Sequence, residues 1–166
     1  MPQEEAGAIR RHGLAVAKAL NAIANVAGTP FTKTTEEGRF LIQKAVYLLK
    51  VLNYPAARRF DFNIYLMGPY SPELTKCYYE LEDDGIASAG VAKDIPPATR
   101  DTVVAALAKG HDFLEGLTTV IDVQRQLGHL PAALANAKAI KKHLDANTWL
   151  EVRTFLAAHR TLIAST

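Results

Sequence analysis

Leu14, Ala17, Leu20, Ile23 and Ala24 share one stripe at helical spacing, which predicts an amphipathic helix over residues 3–27 with Gly28 as its stop. Thr29 to Lys33 reads as a loop. Thr34 and Glu37 have capping-box spacing and open a helix over residues 36–53. Leu41, Ala45, Leu48, Leu49 and Leu52 line its apolar side, widened by Ile42 and Val46. Gln43, Lys44, Tyr47 and Lys50 share the opposite face, read as the wetter one.

After Tyr54-Pro55 the period changes. Phe60 to Tyr65 alternates apolar and polar residues, which predicts a short strand. Gly68-Pro69-Tyr70-Ser71-Pro72 reads as a tight turn, with Ser71 as N-cap and Pro72 in the first turn of a helix over residues 72–84. That helix turns Leu74, Cys77, Tyr78 and Leu81 inward. Residues 86–95 carry further small-residue breaks and are expected to form a small hairpin, closed by Pro96-Pro97. A long helical pattern runs over residues 98–127, where Gly110 and Gly116 predict a kink or a break. Pro131 opens a further helix that ends near Lys138, Lys141, Lys142 and His143, and Thr148 with Glu151 caps a last one over residues 149–163. The expected fold is mainly α within a single domain, 1–166. A winged-helix-like core (helix, helix, short strand, helix, small hairpin) spans 36–95, and a C-terminal helical extension spans 98–166.

Alanine occurs 27 times, which reinforces the helical reading. A lone cysteine, Cys77, rules out an internal disulfide and fits a reducing compartment. No apolar run is long enough to span a bilayer, and Met1 to Glu5 lack the basic and apolar regions of a signal peptide. The expectation is a cytoplasmic protein without a membrane partner. The net charge of +2 is unevenly spread: residues 1–60 balance to +5, 61–96 to −5 and 97–166 to +2. Either the thirds attract one another across the fold, or the acidic middle is kept for a basic partner.

No catalytic constellation stands out. The five histidines form no HxxxH or HxH pair beside a cysteine or carboxylate at metal spacing. His111-Asp112 has the centre of a phosphohydrolase metal motif without its outer ligands, so no metal and no cofactor are expected. Cys77, on the inner face of its helix, reads as packing. Glu80, Glu82, Asp83 and Asp84 crowd a helix C-terminus, where they oppose the macrodipole, and Arg58 and Arg59 are the expected compensation. The same acidic helix weighs against docking in a DNA groove.

The run Arg39-Phe40-Leu41-Ile42-Gln43-Lys44-Ala45-Val46-Tyr47-Leu48-Leu49, with Phe62 to Leu74 around Gly68-Pro69-Tyr70-Ser71-Pro72, resembles the YwgA-like bacterial and archaeal family. More distantly it is similar to the Panacea domain of SocA-type antitoxins. The resemblance covers residues 36–90 through Gln43, Lys44, Tyr47, Leu48, the Gly68–Pro72 turn, Leu74, Leu81 and Gly85. It implies a non-enzymatic interaction module of the antitoxin or phage-defence kind, with a toxin or phage protein as partner; a homo-oligomer is a separate expectation. Tyr70 stands where Panacea proteins carry an apolar residue, and the first helix is longer. The motif residues Gln43, Lys44, Gly68, Pro69, Ser71 and Pro72 also read as scaffold: Gly68 permits a positive φ, the prolines stiffen the turn, and Gln43 and Lys44 hydrogen-bond it from inside. Tyr47, Tyr65, Tyr70 and Tyr78, with Tyr79 beside them, are the candidate partner-binding residues, since tyrosine is enriched at interfaces. The alternative is a DNA-binding regulator in which Arg39, Arg58, Arg59, Lys76 and a wing at 86–95 meet phosphates.

Overall fold

The structure is a computed structural model that describes residues 2–65, 67–82 and 85–163, with the side chain of Tyr65 and the acidic pair Asp83 and Asp84 outside the described set. The chain is mainly helical. In order it forms α1 (Gln3–Ala27), α2 (Glu36–Val51), β1 (Asn63–Tyr65), β2 (Gly68–Tyr70), α3 (Pro72–Tyr79), α4 (Gly85–Ser88), α5 (Pro97–Leu107), α6 (His111–Leu127), α7 (Leu130–Ile140) and α8 (Ala146–Ala158). Single 3-10 turns follow α2 and α8. No helix among the described residues is long and apolar enough to cross a membrane.

One hydrophobic core runs from Val16 in α1 to Leu162 after α8. Its axis is α6, which packs against α2, α5, α7, α8 and β2 and is therefore buried on most of its surface between Phe113 and Gln124. Gly116 does not break this helix. A Cβ there would lie 3.3 Å from Leu144 and 3.4 Å from Val152, so the missing side chain is what lets the segment 144–152 close on α6. The break falls instead at Gly110, whose φ of +96° ends the α5 segment and precedes the first turn of α6.

Several boundaries move for identifiable reasons. Thr35, not Thr34, caps α2: its hydroxyl accepts from Gly38 N–H at 2.9 Å, while Thr34 shares its own hydroxyl with Thr32 at 2.8 Å. Asp145, not Thr148, caps α8, since that helix begins three residues earlier than the capping-box spacing placed it and Thr148 N–H is the donor. Helix α3 ends at Tyr79 rather than at 84, because the Lys33 ammonium takes up the carbonyls of Tyr78 and Leu81. Lys33 thus offsets the acidic helix end. Arg58 is turned onto Asn53 and Arg59 onto His12, while the Arg59 charge still acts on Cys77 of α3.

The largest correction concerns the hairpin. The antiparallel pair is β1 with β2, in the register Asn63↔Tyr70, Ile64↔Pro69 and Tyr65↔Gly68, and it precedes α3. Residues 86–95, expected to be a hairpin, hold the end of the four-residue α4 and a loop. Apart from the local bond from Ala89 N–H to Ile86 O, their backbone partners come from α1. Asn21 donates to Ile86 O at 2.6 Å and Gly90 O at 2.7 Å, and Ala92 N–H donates to Lys18 O at 2.9 Å. With no wing at 86–95, that element of the DNA-binding reading falls away.

Candidate functional site

Helix α2 lays the face carrying Gln43, Lys44 and Tyr47 against the β1–β2 hairpin and α6, so the face read as wet is buried. Gln43 and Lys44 bond the turn and the start of α3. Gln43 Nε2 donates to Ser71 O at 3.0 Å and to Thr75 Oγ1 at 3.0 Å, and its Oε1 accepts from Ser71 N–H at 2.8 Å. Lys44 Nζ donates to Pro69 O at 2.7 Å and faces the Phe40 ring at 5.1 Å. Ser71 Oγ accepts from Leu74 N–H at 3.2 Å and so caps α3, with Pro72 behind it at the first helical position. The Gly68–Pro72 turn is held from inside by α2, as one of the two sequence readings has it.

Gly68 has a φ of +89°, a region costly for any residue with a Cβ. The space is closed as well: a Cβ would stand 3.2 Å from the hydroxyls of Thr118 and Thr119 and 3.3 Å from Lys44 Nζ. Those hydroxyls donate back to Leu114 O and Glu115 O within α6, so they have little freedom to move. Gly68→Ala is expected to cost about 1–3 kcal/mol of unfolding free energy in urea titrations. A loss near zero would mean that the hairpin is free to lift off α6.

Outward of this turn lies a cleft of about 510 Å³, lined by Glu36, Arg39, Phe40, Gln43, Lys44, Met67, Gly68, Tyr70, Thr75, Tyr78 and Tyr79. It lies within the size range of ligand pockets and is largely apolar. Tyr70 is half-buried and its hydroxyl meets Thr75 Oγ1 at 2.6 Å. Tyr78 is buried, with its hydroxyl donating to the same Thr75 oxygen at 3.3 Å. Tyr79 is 53% exposed and stacks on Tyr78 at 5.0 Å between ring centres. Tyr70, Tyr78 and Tyr79 are therefore brought together at the cleft.

Tyr47 is not. It is 3% exposed, absent from the cleft lining, and its hydroxyl donates to Asp122 Oδ1 at 3.2 Å in the α2–α6 contact. Burial, followed by the adjacent Asp122 carboxylate, pushes its phenol well above its ordinary range. Tyr47 is a core residue, because the face of α2 that carries it is covered by α6. Of the basic candidates, Arg39 lines the cleft and donates to Lys33 O at 3.0 Å. Lys76 is exposed on α3. Arg58 is tied to Asn53, and Arg59 is tied to His12 and acts on Cys77 of α3 through its charge.

Lys44 is the unusual group of the cleft. It is 2% exposed, and burial drives its ammonium down to about 7, against a partial restoring effect from Glu115. Glu115 is itself buried and held by Lys141 Nζ at 3.3 Å and His143 Nε2 at 3.1 Å, which fastens the end of α7 to α6 and turns Lys141 out of the helix. The spacing of 26 and 28 residues hid this cross-link in the sequence. His111, Asp112 and Glu115 place one ligand atom each within 4.8 Å of the others. His111 Nδ1 meets Glu37 at 2.8 Å and its ring stacks on Phe40, and a cation on Glu115 would compete with Lys141 and His143 for that carboxylate. Glu36, Phe40, Met67 and Thr75 were not legible as cleft residues. The signal was the placement of Phe40 one turn before Gln43 and Lys44 on a helix face that proves to be covered only in part. No protein-family model, curated protein or solved structure matches the chain, so what the cleft does rests on its own chemistry.

Proposed function

We propose that the protein is a non-enzymatic interaction module, of the antitoxin or phage-defence kind implied by the YwgA-like and Panacea resemblance, which takes an apolar segment of a protein partner into the cleft between α2, β2 and α3. The observation that carries this reading is the convergence of the Gly68–Pro72 turn and Tyr70, Tyr78 and Tyr79 on one largely apolar cleft. A side chain on a rigid turn loses little entropy on binding, and tyrosine offers a large apolar area with a polar tip. Nucleic acid is the weaker reading. The exposed face of α3 presents Glu73 and Glu80 beside a single Lys76, which opposes approach to phosphates.

Tyr79→Ala removes an exposed ring and is expected to leave thermal stability unchanged while weakening the partner complex by about 2 kcal/mol or more. Tyr70→Ala is expected to weaken it similarly, with about 1 kcal/mol of stability lost with the Thr75 hydrogen bond. Calorimetric titration of the captured partner against both variants checks this. A complex of undiminished affinity in both variants places the interface elsewhere on the molecule.

A further inference from the structure

Lys44 carries three N–H donors, and among the described residues Pro69 O takes one of them. Its neighbour Gln43 has no such spare capacity, being engaged by Ser71 and Thr75 on both ends of its amide. The ammonium is 2% exposed, faces the Phe40 ring, and forms part of the lining of a largely apolar cleft. The carboxylate acting on it, Glu115, is held by Lys141 and His143, and Lys141 adds a repulsive contribution of its own. A buried ammonium with unused donors at the floor of a cleft is an incomplete ion pair. Arg39 lines the same cleft from the same helix, and Glu36 lies at its edge. With Lys44 protonated the three leave one positive charge, which matches a single carboxylate and not a phosphate dianion.

We propose that the cleft recognises the C-terminal carboxylate of its partner polypeptide, borne on an apolar last residue, with Lys44 and Arg39 as the anchors of the anion. The inference rests on the protein-binding reading of the same cleft and adds the chemistry of what enters it. A chain terminus presents a carboxylate and an apolar side chain from one residue, which suits a site that sets two cations among Phe40, Met67, Tyr70 and Tyr79. An internal aspartate or glutamate would bring flanking backbone N–H and C=O groups that the apolar lining leaves unmatched.

The probe is the pentapeptide N-acetyl-Ala-Ser-Ala-Leu-Phe as its free acid, compared with its C-terminal amide and with 3-phenylpropanoate, each titrated calorimetrically into the full chain. The free acid is expected to bind about tenfold or more tightly than the amide. This preference should collapse in Lys44→Met and shrink in Arg39→Gln, with the helical circular dichroism of both variants unchanged. Equal affinities of acid and amide for the native protein would overturn the proposal, as would no binding of either at millimolar concentration. Binding of 3-phenylpropanoate as tight as that of the peptide would overturn the chain terminus and assign the site to a free organic acid. The two readings also fail separately. A partner complex lost on Tyr79→Ala but indifferent to amidation of the partner's C-terminus keeps the protein-binding cleft and removes the carboxylate. A complex indifferent to both removes the cleft as well.

Discussion

Lys44→Met is expected to make the protein more stable at pH 7, by about 2–4 kcal/mol, although it removes a buried hydrogen bond. The folded chain holds the Lys44 ammonium at about 7, against 10.5 in an unfolded chain. At about 1.4 kcal/mol per pKa unit, burying the charge costs on the order of 5 kcal/mol. Leaving Pro69 O without its donor costs about 1–3 kcal/mol, which sets the net gain. Methionine fits the slot because it is unbranched, flexible and similar in length.

The sign of the pH dependence follows. Between pH 7 and 10.5 the unfolded chain keeps a proton on Lys44 that the folded chain has shed, so stability rises with pH across this window. The penalty is fully present below about pH 7 and is relieved above 10.5. The groups around Lys44 are Glu115 on α6, Lys141 after α7, the Thr118 and Thr119 hydroxyls and the Phe40 ring. All remain in the methionine variant, and so do the tyrosines, whose titration cancels in the comparison. The advantage of the variant should therefore shrink by several kcal/mol from pH 7 to pH 10 in paired urea titrations. A constant difference would mean that Lys44 keeps its charge in the folded state.

Leu48→Ala is expected to lower the free energy of unfolding by about 2–5 kcal/mol. Leu48 is fully buried on the face of α2 that joins the core, and truncation leaves a cavity that helices packed on several sides of it cannot close. Leu150→Ala is the control. That side chain is 57% exposed, so its loss should stay within about 0.5 kcal/mol. A loss from Leu48→Ala below that of the control would show that α2 is packed through another face.

The contrast between these two α2 residues shows what the sequence makes legible. Leu48 belongs to an unbroken 3.6-residue stripe, and such a stripe is read directly because burial of apolar area dominates helix placement. Lys44 is polar and was placed by the same rule on the wet side. Its burial depends on a hairpin twenty-odd residues later supplying the Pro69 carbonyl, which no local period encodes. The Gly68–Pro72 turn was legible because its residues act locally, through φ at Gly68 and the hydroxyl of Ser71. The hairpin was not, since three-residue strands are too short to show a period and 86–95 had equally good break residues. The cleft was half legible. Tyrosine content pointed to the region, but separating Tyr47 from Tyr70, Tyr78 and Tyr79 required knowing which face of α2 meets α6.

The support of Gly68 by Thr118 and Thr119 has a consequence for the order in which the protein matures on the ribosome. Every residue lining the cleft has been synthesised by Tyr79, yet the surface that backs β2 belongs to α6, more than thirty residues downstream. A nascent chain that has emerged only through α5 carries all the cleft residues and nothing to press the hairpin against Lys44. The backing of the hairpin is therefore acquired late, when α6 docks. On the proposed reading, a partner of this cleft meets a chain that already extends through α6.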